Sequence, residues 1–153
     1  MRLTSMTDYA LRLLMYLGQQ PGRLCTIAEV AQVYGLSEAH LMKITHQLGI
    51  AGWIETVRGK GGGMRLARAP ERINLGAVVR SMEPDFYLAE CFATGSNCSL
   101  TGNCRLAGII SDALQGFLQR LDAHTLADIL PPPGKFAGSK VISLPRRGRP
   151  RAA

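Results

Sequence analysis

Hydrophobic positions recur at helical spacing along most of this chain, with one short stretch where they alternate instead. Met6, Ala10, Leu13, Leu14 and Leu17 fall on one face of a helix over residues 4–18. A second helix opens at Thr26-Ile27-Ala28-Glu29, where a Thr followed three residues on by Glu is a capping box. It runs through Val30, Ala31 and Val33 and stops at Gly35, a residue favoured just past a helix end. Ser37 is the N-cap of a third helix, whose inward stripe is Leu41, Ile44 and Leu48. Glu38, Ala39, Met42, Lys43, His46 and Gln47 then point outward. Two short helices joined by a tight, Gly-containing turn describe a helix-turn-helix.

The alternating stretch comes next. Trp53-Ile54-Glu55-Thr56-Val57-Arg58 reads as a strand, Gly59-Lys60-Gly61-Gly62-Gly63 turns the chain, and Met64-Arg65-Leu66 returns. A hairpin directly after the third helix is the wing of a winged helix, with Arg58 and Lys60 at its tip to meet phosphates or a minor groove. A solvated hairpin is the bland competitor. The glycine run also resembles a phosphate loop, but Gly-x-x-x-x-Gly-Lys-Ser/Thr is absent.

Asn74 caps a short helix over residues 75–82, ended by Glu83-Pro84. A loop of about twenty residues follows, too long for a mere connection and expected to bind something. Residues 105–123 form the longest helix, with a broad apolar stripe of Leu106, Ile109, Ile110, Ala113, Leu114, Phe117, Leu118 and Leu121. Standing outside a winged domain, that stripe calls for a second copy of the chain, so a homodimer is expected. Residues 125–130 add a last helical segment before Pro131-Pro132-Pro133-Gly134. The expected fold is mainly α with a small β-hairpin wing. Residues 1–80 form a winged helix-turn-helix DNA-binding domain, 81–104 a binding loop, 105–130 a dimerisation helix and terminal helix, and 131–153 a disordered basic tail.

Composition narrows the function. A chain of 153 residues, 46% hydrophobic and 19% charged, is globular. No apolar run approaches the ~20 residues that span a bilayer. Arg2, Asp8 and Arg12 interrupt any signal-peptide core, so a cytoplasmic location is expected. The net charge of +7 is uneven. Residues 1–80 carry ten Lys/Arg against five Asp/Glu, 81–130 two against six, and 131–153 six against none. A basic N-terminal half beside an acidic middle suits a polyanion. The partner read from these features is double-stranded DNA with an inverted-repeat operator, its half-sites one helical turn (~34 Å) apart. Ser37 is placed for phosphate, His40, Lys43 and Gln47 for base edges, and Arg58 and Lys60 for the flanking groove. The tail either adds non-specific DNA affinity or serves as a solubilising end.

Four cysteines suggest a second property. Cys25, just before the capping box, reads as a small buried residue. The others form Cys91-x6-Cys98-x5-Cys104 inside the long loop. A disulfide framework fits neither a reducing compartment nor an odd number of thiols. Structural zinc usually shows Cys-x2–4-Cys pairs, absent here. An iron–sulfur cluster is larger and takes thiolates at wider spacing. Gly95, Gly102 and the small polar Thr94, Ser96, Asn97, Ser99 and Asn103 leave the loop free to wrap it. Spacing favours the cluster and leaves zinc and unliganded redox thiols open. Without a Cys-x-x-Cys pair or a substrate pocket, no enzyme is expected.

Several stretches together resemble a known family. They are Met1-Arg2-Leu3-Thr4 with Thr7-Asp8-Tyr9-Ala10-Leu11-Arg12, the wing Val57-Arg58-Gly59-Lys60-Gly61-Gly62-Gly63, the spaced cysteines, and Thr125-Leu126-Ala127-Asp128. Over about residues 1–130 the chain is similar to the iron–sulfur winged-helix transcription regulators of the IscR/NsrR family. It resembles the nitric-oxide-sensitive NsrR branch more than IscR, which has a histidine ligand where Ala107 stands. Asp8 occupies the place of an aspartate that, in at least some members of that branch, reaches the partner subunit's cluster as fourth ligand. The resemblance implies a homodimeric repressor with a cluster, [4Fe–4S] ahead of [2Fe–2S], on Cys91, Cys98, Cys104 and the partner subunit's Asp8. It further implies nitric oxide as signal, with cluster nitrosylation releasing the operator and derepressing nitric-oxide detoxification genes. The alternative is a regulator of the same family answering to cluster status, iron or redox state. Taken by itself, Asp8 near a helix start is a cap or a charge favourable to the helix dipole. Polar roles rather than ligation are expected for His40, His46 and His124.

Overall fold

Short polar side chains start the helices. The computed structural model describes residues 2–95, 97–100 and 104–132. Thr4 caps α1 (Ser5–Gly18), Thr26 caps α2 (Ile27–Tyr34), Ser37 caps α3 (Glu38–Ile50) and Asn74 caps α4 (Leu75–Met82). Each accepts a hydrogen bond from the backbone N–H three residues on, satisfying a donor the helix cannot use. Gly35, at φ 64° and ψ 35°, closes α2 in the left-handed region that glycine enters freely. The chain continues through α5 (Arg105–Asp122) and α6 (Leu126–Ile129).

At Thr26 only the threonine half of the expected box is prominent. The Glu29 carboxylate turns chiefly to the Arg23 guanidinium and the Tyr16 hydroxyl, which donate to it. Arg23 foremost, then Tyr16, hold its pKa down to about 2. A carboxylate depressed on folding contributes stability above its ordinary pKa and loses it as pH falls toward the folded value. The thermal midpoint is therefore expected to drop between about pH 4.5 and pH 2, and Glu29→Gln to flatten that part of the profile; an unchanged acid limb would count against the contact. A fully reciprocal box instead begins α6, between Thr125 and Asp128.

The core gathers around α1. Ala10, Leu13 and Leu14 are fully buried, with Val30 of α2, Leu41, Ile44 and Leu48 of α3, Val78 of α4 and Leu126 of α6. β1 (Ile54–Val57) and β2 (Gly63–Leu66) pair antiparallel, Ile54 opposite Leu66 and Val57 opposite Gly63. Three contacts tie this hairpin down. Trp53 donates its indole N–H to Ser81 of α4 at 2.9 Å. Arg68 lies over the indole ring, 5.0 Å from its centroid. Cys25 and Met64 exchange two backbone hydrogen bonds of 2.9 and 2.8 Å, which lock β2 beside the start of α2.

Glycine is required where these pieces close up. A Cβ at Gly63 would lie 2.7 Å from the Cys25 carbonyl oxygen, and one at Gly62 2.3 Å from that of Val57. Both neighbours are backbone and cannot swing aside. Gly63→Ala is expected to cost about 1–3 kcal/mol, as overpacking does, read as a lower denaturation midpoint. A midpoint within error of the parent's would show that the Cys25–Met64 pairing is dispensable.

Two three-residue 3-10 turns, Pro70–Arg72 and Glu90–Phe92, add to the elements read from periodicity. Such short turns carry no period to read. α5 is clamped to α4 at its C-terminal end. Arg80 forks onto Asp122 at 2.6 and 2.7 Å, and Asn74 Nδ2 donates to the carbonyls of Asp122 and His124. Beyond the clamp α5 is sparsely covered: Leu118 is its one buried residue, and Leu106 and Ile109 are 61% and 66% exposed. Residues 133–153 of the expected tail fall outside the described residues, as do Ser96, Gly102 and Asn103 of the loop.

Candidate nucleic-acid interface and metal centre

α3 turns its apolar stripe into the core and leaves a polar edge outside. Ser37, Lys43 and Gln47 are exposed there, together with Glu38, Met42 and His46. Arg58 and Lys60 are likewise exposed on the wing, flanking Gly59 at φ 99°. α3 and the wing tip thus present three cations among the residues singled out for DNA.

His40 does not join the edge as expected. Its ring packs edge-on against Tyr9 of α1, and its Nε2 is buried with no hydrogen-bond partner among the described residues. A base contact by His40 requires the ring to leave that position. Arg65 is exposed but already paired with Glu55 across the hairpin, at 3.0 Å. For Lys60, alanine is expected to weaken binding to all DNA sequences alike and to lower the slope of log affinity against log salt by about one. Equal slopes for variant and parent would remove its phosphate role.

The three loop cysteines are half-buried thiols, whereas Cys25 is wholly buried and its pKa is raised by desolvation. Thiolate is the liganding form, so burial makes Cys25 the poorest donor of the four. Cys91 lies in the 3-10 turn Glu90–Phe92, and Cys104 is the N-cap of α5. Among the described residues no group of three or more His, Cys, Asp or Glu side chains is gathered into a metal site. The donor set nonetheless suits an iron–sulfur cluster: three partly accessible thiols on one segment, one inside a 3-10 turn and one capping α5.

Asp8 does not cap its helix; Thr4 does. The carboxylate is half exposed and receives two hydrogen bonds from Arg12, at 3.1 and 2.9 Å. It lines an open groove of about 690 Å³ with Arg2, Leu3, Thr4 and Ser5. Room for a chain segment therefore exists beside it. The Arg12 pairing has a signal in the sequence, since Asp and Arg four apart on a helix are natural partners. A larger groove, about 790 Å³, runs between Glu83–Leu88 of the loop and Ile110, Leu114 and Phe117 of α5.

Residues 3–132 match the Rrf2 family, described as an iron-dependent transcriptional regulator. The chain belongs to that family. It is a DNA-binding transcriptional regulator and not an enzyme. The HTH-type transcriptional regulator NsrR of Halalkalibacterium halodurans is 49% identical over 132 residues, covering 85% of this chain and 90% of the relative. Among solved structures, T. potens IscR superposes with TM-score 0.67 at 25% identity, over 84% of this chain and 85% of its own. CymR of B. subtilis, the global cysteine regulator, superposes with TM-score 0.65 at 25% identity, over 84% and 95%. The winged helix-turn-helix architecture is common to them. Since regulators with different names share it, function has to be argued from the loop and the reading edge.

Proposed function

We propose that the chain is a cytoplasmic, homodimeric repressor whose grip on an inverted-repeat operator depends on an iron–sulfur cluster and is released by nitric oxide. The observation that carries this reading is the trio of half-buried thiols in the loop leading into α5, in a chain 49% identical to an NsrR regulator. Cys91, Cys98 and Cys104 would hold the cluster, [4Fe–4S] ahead of [2Fe–2S], with Asp8 of the partner subunit as fourth ligand. Asp8 supports this by being accessible beside an open groove. When bound, the group supplies iron that nitric oxide can attack at the corner lacking a thiolate.

The chain's own residues do the rest. Leu106, Ile109 and Ala113 form an exposed apolar stripe at helical spacing on α5, suited to the same stripe of a second copy. The dimer presents two α3 helices to successive major grooves. Lys43 and Gln47 read base edges, Ser37 and the N-terminal turn of α3 meet phosphate, and Arg58 and Lys60 hold the flanking groove. Asp8, reaching across the dimer, ties one reading head to the other chain's loop and so favours one spacing of the two heads. Release then derepresses nitric-oxide detoxification genes.

Anaerobically prepared protein is expected to be brown, with iron and sulfide in proportion to the cluster. A gel shift on the operator is expected to dissolve with nitric oxide. Colourless protein with stoichiometric zinc ends the proposal. Release by chelator or oxygen, and not by nitric oxide, assigns the input to cluster status instead.

A further inference from the structure

α5 is fastened to the reading domain at its C-terminal end by two kinds of contact. The first is backbone. Leu75 N–H donates to the His124 carbonyl at 3.0 Å, and Leu126 N–H to that of Ile73 at 2.8 Å. This short antiparallel bridge pins the chain just beyond α5 to the start of α4. The second kind is made by side chains just inside the bridge. Asp122 takes the Arg80 fork at 2.6 and 2.7 Å beside the first turn of α4, where an acid suits the helix dipole. Asn74 Nδ2 donates to the Asp122 carbonyl at 2.7 Å, while its Oδ1 caps α4. Gly76 makes room for this approach, since a Cβ there would run into Asp122 Oδ1. Farther along, Ile110, Leu114 and Phe117 face Glu83–Leu88 across the open groove of about 790 Å³. With Leu118 its one buried residue, α5 takes its direction from the C-terminal contacts.

We infer that the Asp122–Arg80 fork, seated against Gly76, sets the spacing of operator half-sites that the protein accepts, with Asp122, Arg80 and Gly76 acting as positioning residues. The inference rests on the proposed dimer through α5. A bridge at one point leaves a helix free to swing, and a second contact away from that point fixes its direction. Small contacts between parts of a chain permit relative motion by default, so this second contact decides the angle. Ile109, in the middle of the exposed stripe, lies thirteen positions before Asp122, about 20 Å along the helix at ~1.5 Å per residue. A tilt of about 10° at the fork moves the stripe by ~3 Å, close to the ~3.4 Å rise of one base pair. The same tilt acts in both copies. The fork thus determines how far apart the two α3 helices stand. Its side chains are 41% and 39% exposed, so its loss costs little folding energy. Folding is separable from spacing.

The test uses the full chain, prepared anaerobically, on an inverted repeat that the parent selects from random-sequence DNA. The repeat is then rebuilt with one base pair added or removed between its half-sites. The parent is expected to lose about 10-fold or more in affinity at either change, within the factor on the order of 10²–10⁴ that a second head contributes. Asp122→Ala is expected to bring that loss below about 3-fold, with dimer mass in sedimentation and affinity for a single half-site unchanged. Arg80→Gln breaks the fork from the other side and should match it. Gly76→Ala should match it with both charged groups still present, and should add nothing to Asp122→Ala, since the two act on one contact. A dimeric Asp122→Ala that keeps the parent's spacing preference overturns the inference and leaves the dimer standing. So does a loss of affinity equal at every spacing, which is what a merely structural role would give. A monomeric parent fails the dimer and the spacing role with it. If Asp122→Ala does not fold, Arg80→Gln carries the comparison.

Discussion

Ile109→Glu is expected to convert the protein into a folded monomer that has lost most of its hold on the operator. Ile109 is 66% exposed and lies outside the core, so the substitution removes no packing from the single chain. In the proposed dimer, the carboxylate would be buried at the centre of an apolar face. A buried charge without a partner costs far more than the ~1.5–3 kcal/mol gained by covering one Ile or Leu side chain. Sedimentation should give half the parent's mass. Operator affinity should fall by about 10² or more, because two linked heads gain a factor on the order of 10²–10⁴ over one. Leu106→Glu, 61% exposed on the same stripe, should do likewise. A dimer persisting in both variants would show that another surface joins the copies.

The second large effect belongs to the thiols. Cys104→Ser is expected to abolish both the brown colour and the nitric-oxide response, since a serine oxygen is a hard, protonated substitute for a soft thiolate. Cys91→Ser and Cys98→Ser should behave alike, each removing one corner of the same site. Driving an operator from 99:1 bound to 1:99 takes about 5.5 kcal/mol, within reach of the bonds and loop order lost with a cluster. Cys25→Ser is the contrast. It should lower the denaturation midpoint, because that position is fully buried beside β2, while leaving iron content unchanged. Unaltered operator affinity and unaltered signal response in all three loop variants would leave a plain DNA binder.

His40 shows why the reading edge was only partly legible. Periodicity places it on the flank of α3, between the buried stripe and the solvent, where a residue can turn either way. Tyr9, thirty-one positions earlier, decides the matter by offering an aromatic face. No local pattern announces that partner. Asp8 is similar: its ordinary role as a cap was excluded because Thr4 had already taken it.

What the amino-acid order by itself determined is the set of elements and their inward faces. Helical spacing, caps at Thr26, Ser37 and Asn74, and the glycine turn of the wing are local, and local forces settle them. The residues proposed to act, the three loop cysteines and the exposed cations of α3 and the wing, were equally visible there. Only the tertiary structure decided which polar groups face one another. It drew Glu29 to Arg23 and Tyr16, set Arg80 against Asp122, and turned His40 onto Tyr9. Apart from Arg23 with Glu29, six positions apart, these contacts join residues thirteen or more positions apart, and their partners are chosen by packing geometry, which no short-range pattern encodes.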